Sequence, residues 1–542
     1  MSLPPVSRRL VLAGLGSGMA GLGGGMPGRA AAQAPAPGAT PRRGGTLTAI
    51  VQPEPPTLIS ALNAGAPTGV VSTNIFDGLF TYDWDMALKP ALAESWQVAP
   101  DGLAITFRLR PGVRWHDGQA FTAADVKYSL EEIWRKIHPR GRATFANVDA
   151  VETPDPLTVV LRLRQPSPVI LSALNAYESQ ILPKHIYEGS DPLANPVNLK
   201  PIGTGPFRFK EWVRGEHIIL ERNPDYWEAD KPYLDRIVFR IVPDATARAA
   251  LLETGQAQYA PYSPVPLSDV ARLRALPGLM IETRGYEWIS PWLFLEFNLR
   301  KPELADVRVR RAIAHAVNRD VIARTVWHGF GKAAVSTVPS SLARFHKADV
   351  AQYPFDVKRA EALLDEAGHK RGADGMRFAL SHDFLPYGDD YRRTGEYVRQ
   401  ALRRVGIDLT LRSQDTPSYL RRVFAEYEFD ISSSWASSFS DPQIGVQRFF
   451  WSKTINKGTP WTNASGYANP AMDQVIEAAQ RSADPAERSR LFGEMQRIAA
   501  EDLPNLPLIE LNFFTVHSKR LHDVAMGPDA VYASLKHAWL EG

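Results

Sequence analysis

Twelve histidines are scattered along the 542 residues, and no two lie three or four positions apart, the spacing that would turn two ring nitrogens toward one metal from a helix. His116-Asp117 and His382-Asp383 are the most suggestive pairs, but the expected reading is a turn residue for the first and a loop residue for the second. Gly331-Lys332 resembles the end of a phosphate loop, yet Ala333 follows it and the upstream glycine is missing. Gly16, Gly18 and Gly21 have the spacing of a dinucleotide loop, but no strand pattern precedes them. Neither a Gly-x-Ser-x-Gly elbow nor a His-Glu-x-x-His zinc helix occurs. Cysteine is absent, which excludes thiol catalysis, disulfides and Cys-zinc sites. We therefore expect neither catalysis nor a metal or other cofactor. Thirteen tryptophans and an aromatic content of 10% suit a pocket instead, because aromatic rings supply contact area at little entropic cost.

Such a pocket needs elements to carry it. Leu293, Leu295 and Phe297 alternate with Phe294, Glu296 and Asn298, a strand signature over Trp292–Asn298. The period then changes. Asp306 can cap a helix running to Arg319, with Val309, Ile313, Ala316 and Val317 on one side and Arg308, Arg310, Arg311 and Arg319 on the other. That basic side is expected to be solvated. This strand and helix mark the crossing between two α/β bodies. Upstream, Thr46–Val51 is the first strand, stopped by Pro53, Pro55 and Pro56. Leu103–Arg110 and Leu157–Leu163 alternate as antiparallel strands, and Thr122 with Asp125 forms a capping box. Gly203–Phe209, His217–Arg222 and Ile237–Val242 follow as strands. Downstream, Met376–Leu380, a helix over Tyr391–Val405, Ile407–Leu411, a helix over Ser418–Tyr427 and Phe429–Ser433 alternate as βαβαβ, predicting a parallel sheet. Helices over Pro470–Ala483 and Pro485–Asp502 precede a last strand at Leu506–Leu511.

A chain of this length divides into two or three domains. Residues 1–32 combine Arg8-Arg9, a glycine-diluted apolar run and Ala30-Ala31-Ala32, an export signal with a cleavage site after Ala32. The paired arginines resemble a twin-arginine signal, with Sec export as the alternative. The segment carries three arginines and no acid, so its removal takes the net charge from +3 to zero. Nucleic-acid binding loses its electrostatic support with it. Without a cysteine there is no lipid anchor, so a soluble periplasmic monomer is expected.

Ala91–Trp96, Phe107–Gly118, Phe121–Val126, Gly203–Phe207, Asn223–Trp227, Phe297-Asn298, Asp306–Arg310 and Tyr467–Pro470 together closely resemble the signature of the family 5 solute-binding proteins, the peptide/nickel-type receptors of ABC importers. The resemblance spans the chain after residue 32. It implies a periplasmic-binding-protein-like bilobal α/β fold with an extra subdomain, two hinge strands and a ligand closed between the lobes. Lobe one would comprise 45–75, 201–290 and 510–542, its subdomain 76–200 and lobe two 291–509, after a Pro/Ala linker at 33–44. One hinge strand would be Trp292–Asn298 and the return strand Leu508–Asn512. The implied partners are a small-molecule or peptide ligand and a membrane permease.

Family position and chemistry together nominate Glu54, Asn74, Trp288, His382, Tyr387, Trp435 and Ser438 as ligand-binding residues. Dipeptide-binding members hold the peptide carboxylate with an arginine two residues before a tyrosine, and the ammonium with an aspartate three residues after a tryptophan. Here those positions are Leu385, before Tyr387, and Ser438, after Trp435. Ser438 is expected in the cleft, because its run of hydroxyls is costly to bury. Charged termini would then be read by Glu54, Arg412 or Asp383, or the solute is not a dipeptide. An opine-like or sugar conjugate, or a longer peptide, is favoured. An ordinary di/oligopeptide receptor, a metal-chelate receptor and a periplasmic hydrolase are the alternatives.

Overall fold

The computed structural model describes residues 40–542; the export signal and most of the linker lie outside the described residues. Residues 42–542 form one compact unit built on two large sheets. The first has seven strands, in the order Leu279–Glu282, Thr515–Ser518, Tyr259–Ala260, Thr46–Val51, Arg236–Ile241, His217–Arg222 and Phe207–Val213. The second has six, in the order Gly331–Ala333, Asn505–Leu511, Pro291–Phe297, Ile431–Ser437, Phe378–Phe384 and Ile407–Arg412. A four-stranded antiparallel sheet, which includes Ala104–Leu109 and Thr158–Leu163, stands apart from both.

The chain passes between the large sheets through residues 283–290 and again through 512–514. The strands beside these crossings, Pro291–Phe297 and Asn505–Leu511, pair with each other. Pro291–Phe297 is buried at all seven positions, and its two faces serve different cores. Leu293, Leu295 and Phe297 join the main hydrophobic cluster, while Trp292 and Phe294 pack with Phe449, Met472 and Phe492 in a second. Burial on both faces explains why this segment is apolar throughout. Glu296 is the polar exception. Its carboxylate is enclosed and accepts from the Ala464 and Ser465 amides at 3.1 and 3.0 Å.

The helix signals at Asp306 and Thr122 act as the sequence implies, and Asp356 adds a third cap. Asp306 accepts from the Arg308 amide at 2.8 Å at the start of Val307–Ala316, and Asp356 accepts from Arg359 at 2.9 Å at the start of Val357–Glu366. In the Thr122 capping box, Asp125 accepts from the Thr122 amide at 2.9 Å and also from the Lys184 backbone amide at 2.9 Å, tying the helix to the start of the distant short helix Lys184–Tyr187.

Three expectations need correction. Phe378–Phe384, Ile407–Arg412 and Ile431–Ser437 are parallel, but Pro291–Phe297 enters antiparallel to Ile431–Ser437, so the sheet is mixed. The reason is tertiary: the strand arrives from the other large sheet, not from a βαβ crossover. Arg310 does not belong to a solvated face. It is buried and donates to the carbonyls of Leu304, Ala305, Asp502 and Leu503, binding the end of Pro485–Asp502. His382 is not a loop residue but lies in Phe378–Phe384, fully buried.

Candidate functional site

A cavity of about 1050 Å³ opens between the two large sheets, large enough for a peptide-sized solute. Its lining draws on Val51 at the end of the first strand and Glu54 after it, Arg140 and Tyr177 beside the four-stranded sheet, and Trp435 and Arg448 on and after Ile431–Ser437. Asn512 and Phe513, from the second crossing, complete it. Residues more than 400 positions apart therefore face one space.

One wall is aromatic. Tyr177 and Tyr532 stack with ring centroids 3.9 Å apart and planes 2° from parallel. Tyr532 donates to the Tyr262 hydroxyl at 3.0 Å, and burial drives the Tyr262 and Tyr532 hydroxyls well above their usual pKa. They are neutral donors at any physiological pH. Trp435 is half-buried and meets Phe513 edge-on at 5.1 Å. Tyr387 is half exposed at the mouth, above the helix Asp389–Arg404. Beside it, desolvation raises the Asp390 carboxyl above its ordinary range.

The nominated residues separate into two groups. Glu54, Tyr387 and Trp435 line the cavity. Glu54 is already engaged: its carboxylate accepts from Trp212 Nε1 at 2.9 Å and from the Gly215 amide at 3.2 Å. Asn74, Trp288, His382 and Ser438 are packed away from it. Asn74 Nδ2 donates to the Val70 carbonyl at 2.9 Å, and its Oδ1 accepts from the Leu535 amide at 2.8 Å, pinning the C-terminal segment. Trp288 is fully buried behind the wall, 5.1 Å from Phe439 and 6.0 Å from Tyr177, and so supports the rings that face the cavity. His382 Nε2 pairs with Ser433 Oγ at 2.9 Å, and burial pushes its pKa down to about 3.

Ser438 corrects the expectation of a cleft hydroxyl. It is fully buried with its Oγ unpartnered, because its backbone amide bonds Ile289 at 3.0 Å and Gly445 packs directly on it. Leu385 is also fully buried. Neither position can present a charge to a ligand. Arg412 and Asp383 are taken up with each other and with Gln414 and Arg422, so Asp383 is a core acid.

Sequence reasoning did not single out Arg140, Tyr177, Tyr262, Arg448 or Tyr532. Arg140, in His138-Pro-Arg140, and Arg448, in Gln447-Arg-Phe-Phe450, each sit beside apolar neighbours in irregular segments. That is the one local signal that could have flagged them.

The model of "Bacterial extracellular solute-binding proteins, family 5 Middle" matches residues 87–457. The chain belongs to this family. It is 28% identical over 475 residues to the glutathione-binding protein GsiB of Salmonella paratyphi A, covering 85% of this chain and 88% of that one. Among solved structures, it is similar to the periplasmic binding protein DppA of Helicobacter pylori in complex with the peptide STSA. That match has 26% identity, a TM-score of 0.77, and coverage of 92% and 99% of the two chains. AgaA of A. tumefaciens R10, in complex with agropinic acid, matches with 26% identity, a TM-score of 0.75 and coverage of 92% and 99%. This family 5 member therefore has the fold of proteins that receive solutes for ABC importers. Among its described residues, no helix is long and apolar enough to cross a membrane.

Proposed function

We propose that this protein is a periplasmic, unanchored receptor that encloses one small polar organic solute and delivers it to the permease of an ABC importer. The observation that carries this reading is the single space between the two large sheets, with a tyrosine wall on one side and charged side chains from both sheets around it. Lobe closure then buries the solute, and its binding energy selects the closed form a permease would recognise. Lobe one is assigned to 45–75, 201–290 and 510–542, its subdomain to 76–200 and lobe two to 291–509. Capture needs no turnover, so a bound solute should be recovered chemically unchanged.

The ligand class is a peptide-like or opine-like acid–amine conjugate and not a simple dipeptide held by its termini. Buried Leu385 and Ser438 support this, since the carboxylate and ammonium of a dipeptide would lose their charged partners there, at about 2–5 kcal/mol for each. The ligands named for the relatives (glutathione, a tetrapeptide and agropinic acid) are the natural first panel.

The test is thermal unfolding of residues 33–542 against glutathione, agropinic acid, tetrapeptides and simple dipeptides. A true ligand at about 100 times its Kd adds about 2.7 kcal/mol, a rise of about 2–3 °C for a chain of this size. A large shift with simple dipeptides would restore the ordinary peptide receptor. Silence from every solute would count against the proposed class.

A further inference from the structure

Most enclosed arginines in this protein are held by hydrogen bonds to the protein itself. Arg248 donates to the carbonyls of Val242, Pro243 and Pro264. Arg310 binds four carbonyls at the end of a helix, and Arg319 donates to those of Ala334 and Tyr353. Arg488 grips Asp441 with two bonds, one of them 2.8 Å, and Gln443 at 2.9 Å. Such pairing is what makes a buried guanidinium tolerable.

Arg448 breaks this pattern. It lines the cavity, and its Nε is buried without a hydrogen-bond partner, as are those of Arg222 and Arg311. Those two donate through Nη2 to the Tyr233 and Glu501 carbonyls, whereas among the described residues no hydrogen bond and no carboxylate engages the Arg448 guanidinium. Burial and the positive charge of Arg140 push its pKa down to about 10, so it stays protonated at neutral pH. Arg140 lines the same cavity. Its Nε donates to Glu178 at 2.8 Å, a second bond completes the fork, and its guanidinium lies 4.7 Å from the Phe439 ring centroid. Glu178 is thus bonded to Arg140 alone, and the Arg448 charge is left without a paired carboxylate. They also come from different parts of the fold: Arg140 precedes the short helix Gly141–Thr144, whereas Arg448 follows Ile431–Ser437 of the six-stranded sheet.

We propose that Arg448, with Arg140 beside it, forms a subsite for a carboxylate of the solute, and that the solute is a small acid whose carboxylates outnumber its ammonium groups. This rests on the receptor reading above and names the charge of its ligand. The solute carboxylate supplies the second negative charge that Glu178 alone cannot. With no anion bound, the two guanidiniums repel across the cleft. With one bound, they are drawn together, so the same contact selects for charge and favours closure. Arg448 fits this role better than a lysine would, because its planar fork can take a carboxylate with two bonds.

The test replaces Arg448 by methionine, which keeps most of the side-chain volume and removes the charge, and has two arms. In the ligand-free arm, Arg448→Met should melt at the same temperature as the parent or about 1–2 °C higher, because an uncompensated charge has been removed. A fall of several degrees, or failure to fold, would show a structural role and overturn the proposal without any ligand being known. In the binding arm, calorimetry compares glutathione, which carries two carboxylates and one ammonium, with its diethyl ester. The parent should bind the acid at least about 30-fold more tightly than the ester, and Arg448→Met should abolish that preference. Equal binding of acid and ester by the parent, or an unchanged preference in the variant, would overturn the subsite while leaving the receptor reading intact. If the parent binds neither compound nor any other member of the panel, the receptor's proposed ligand class fails, and the melting arm still decides the role of Arg448.

Discussion

Two buried titratable side chains near the middle of the molecule pull its acid stability in opposite directions. Burial raises the Glu296 carboxyl from 4.5 to about 7 despite its two amide donors. A carboxyl whose folded pKa lies above its unfolded one contributes stability that is complete below pH 4.5 and lost as the pH rises through 7. Glu296→Gln keeps an acceptor for both amides, so its melting temperature relative to the parent should climb by a few degrees between pH 5 and pH 8. His382 has the opposite sign. Its pKa falls from 6.5 to about 3, so its contribution is present above 6.5 and lost as the pH falls through 3. His382→Gln should gain on the parent only below pH 6. Because the effects oppose each other between pH 4.5 and 6.5, the parent's own profile there should be shallow. A steep parent profile with no response in either variant would show these groups to be unimportant.

At the scale of elements, the pair Asp441–Arg488 joins the end of Ile431–Ser437 to the helix Pro485–Asp502, with side chains 0% and 5% exposed. Removing one partner strands the other charge in the core. Asp441→Ala should therefore cost about 3–5 kcal/mol, read as a fall in the denaturation midpoint at unchanged slope. Phe492, on the same helix, packs against Phe345 at 5.4 Å in the second hydrophobic cluster. Its truncation to alanine should cost a similar amount, about 3–5 kcal/mol, by leaving a cavity. A loss below 1 kcal/mol in either variant would mean that this face of the helix does not hold the sheet. The caps at Asp306 and Thr122 were legible because they are local: one side chain reaches an amide two or three residues away. The antiparallel entry of Pro291–Phe297 was not, because no residue within the strand records the direction of its neighbours.

Over the whole molecule, only the two crossings at 283–290 and 512–514 carry the chain between the large sheets, and the receptor proposed above closes by motion about them. A solute that binds should accordingly contract the protein, and small-angle scattering with and without it would show a smaller radius of gyration. An unchanged radius on saturation would argue against closure. The periplasmic location proposed above is a separate matter and rests on reading residues 1–32 as an export signal. If Arg8 and Arg9 form a twin-arginine signal, changing both to lysine should block export in cells, whereas a Sec signal would tolerate the exchange. Fractionation of the two forms separates these routes.

The sequence by itself determined most of the elements, the caps at Asp306 and Thr122 and membership of the family, because each is written in periodicity or in short contiguous motifs. Only the tertiary structure decided which of the nominated residues share a space. Trp288, His382 and Ser438 have types suited to a pocket, yet packing from Phe439, Gly395 and Gly445 encloses them. Arg140 and Arg448, some 300 residues apart, acquire meaning only when two irregular segments meet. Burial and charge balance are properties of the assembled neighbourhood, and no local pattern of residues encodes them.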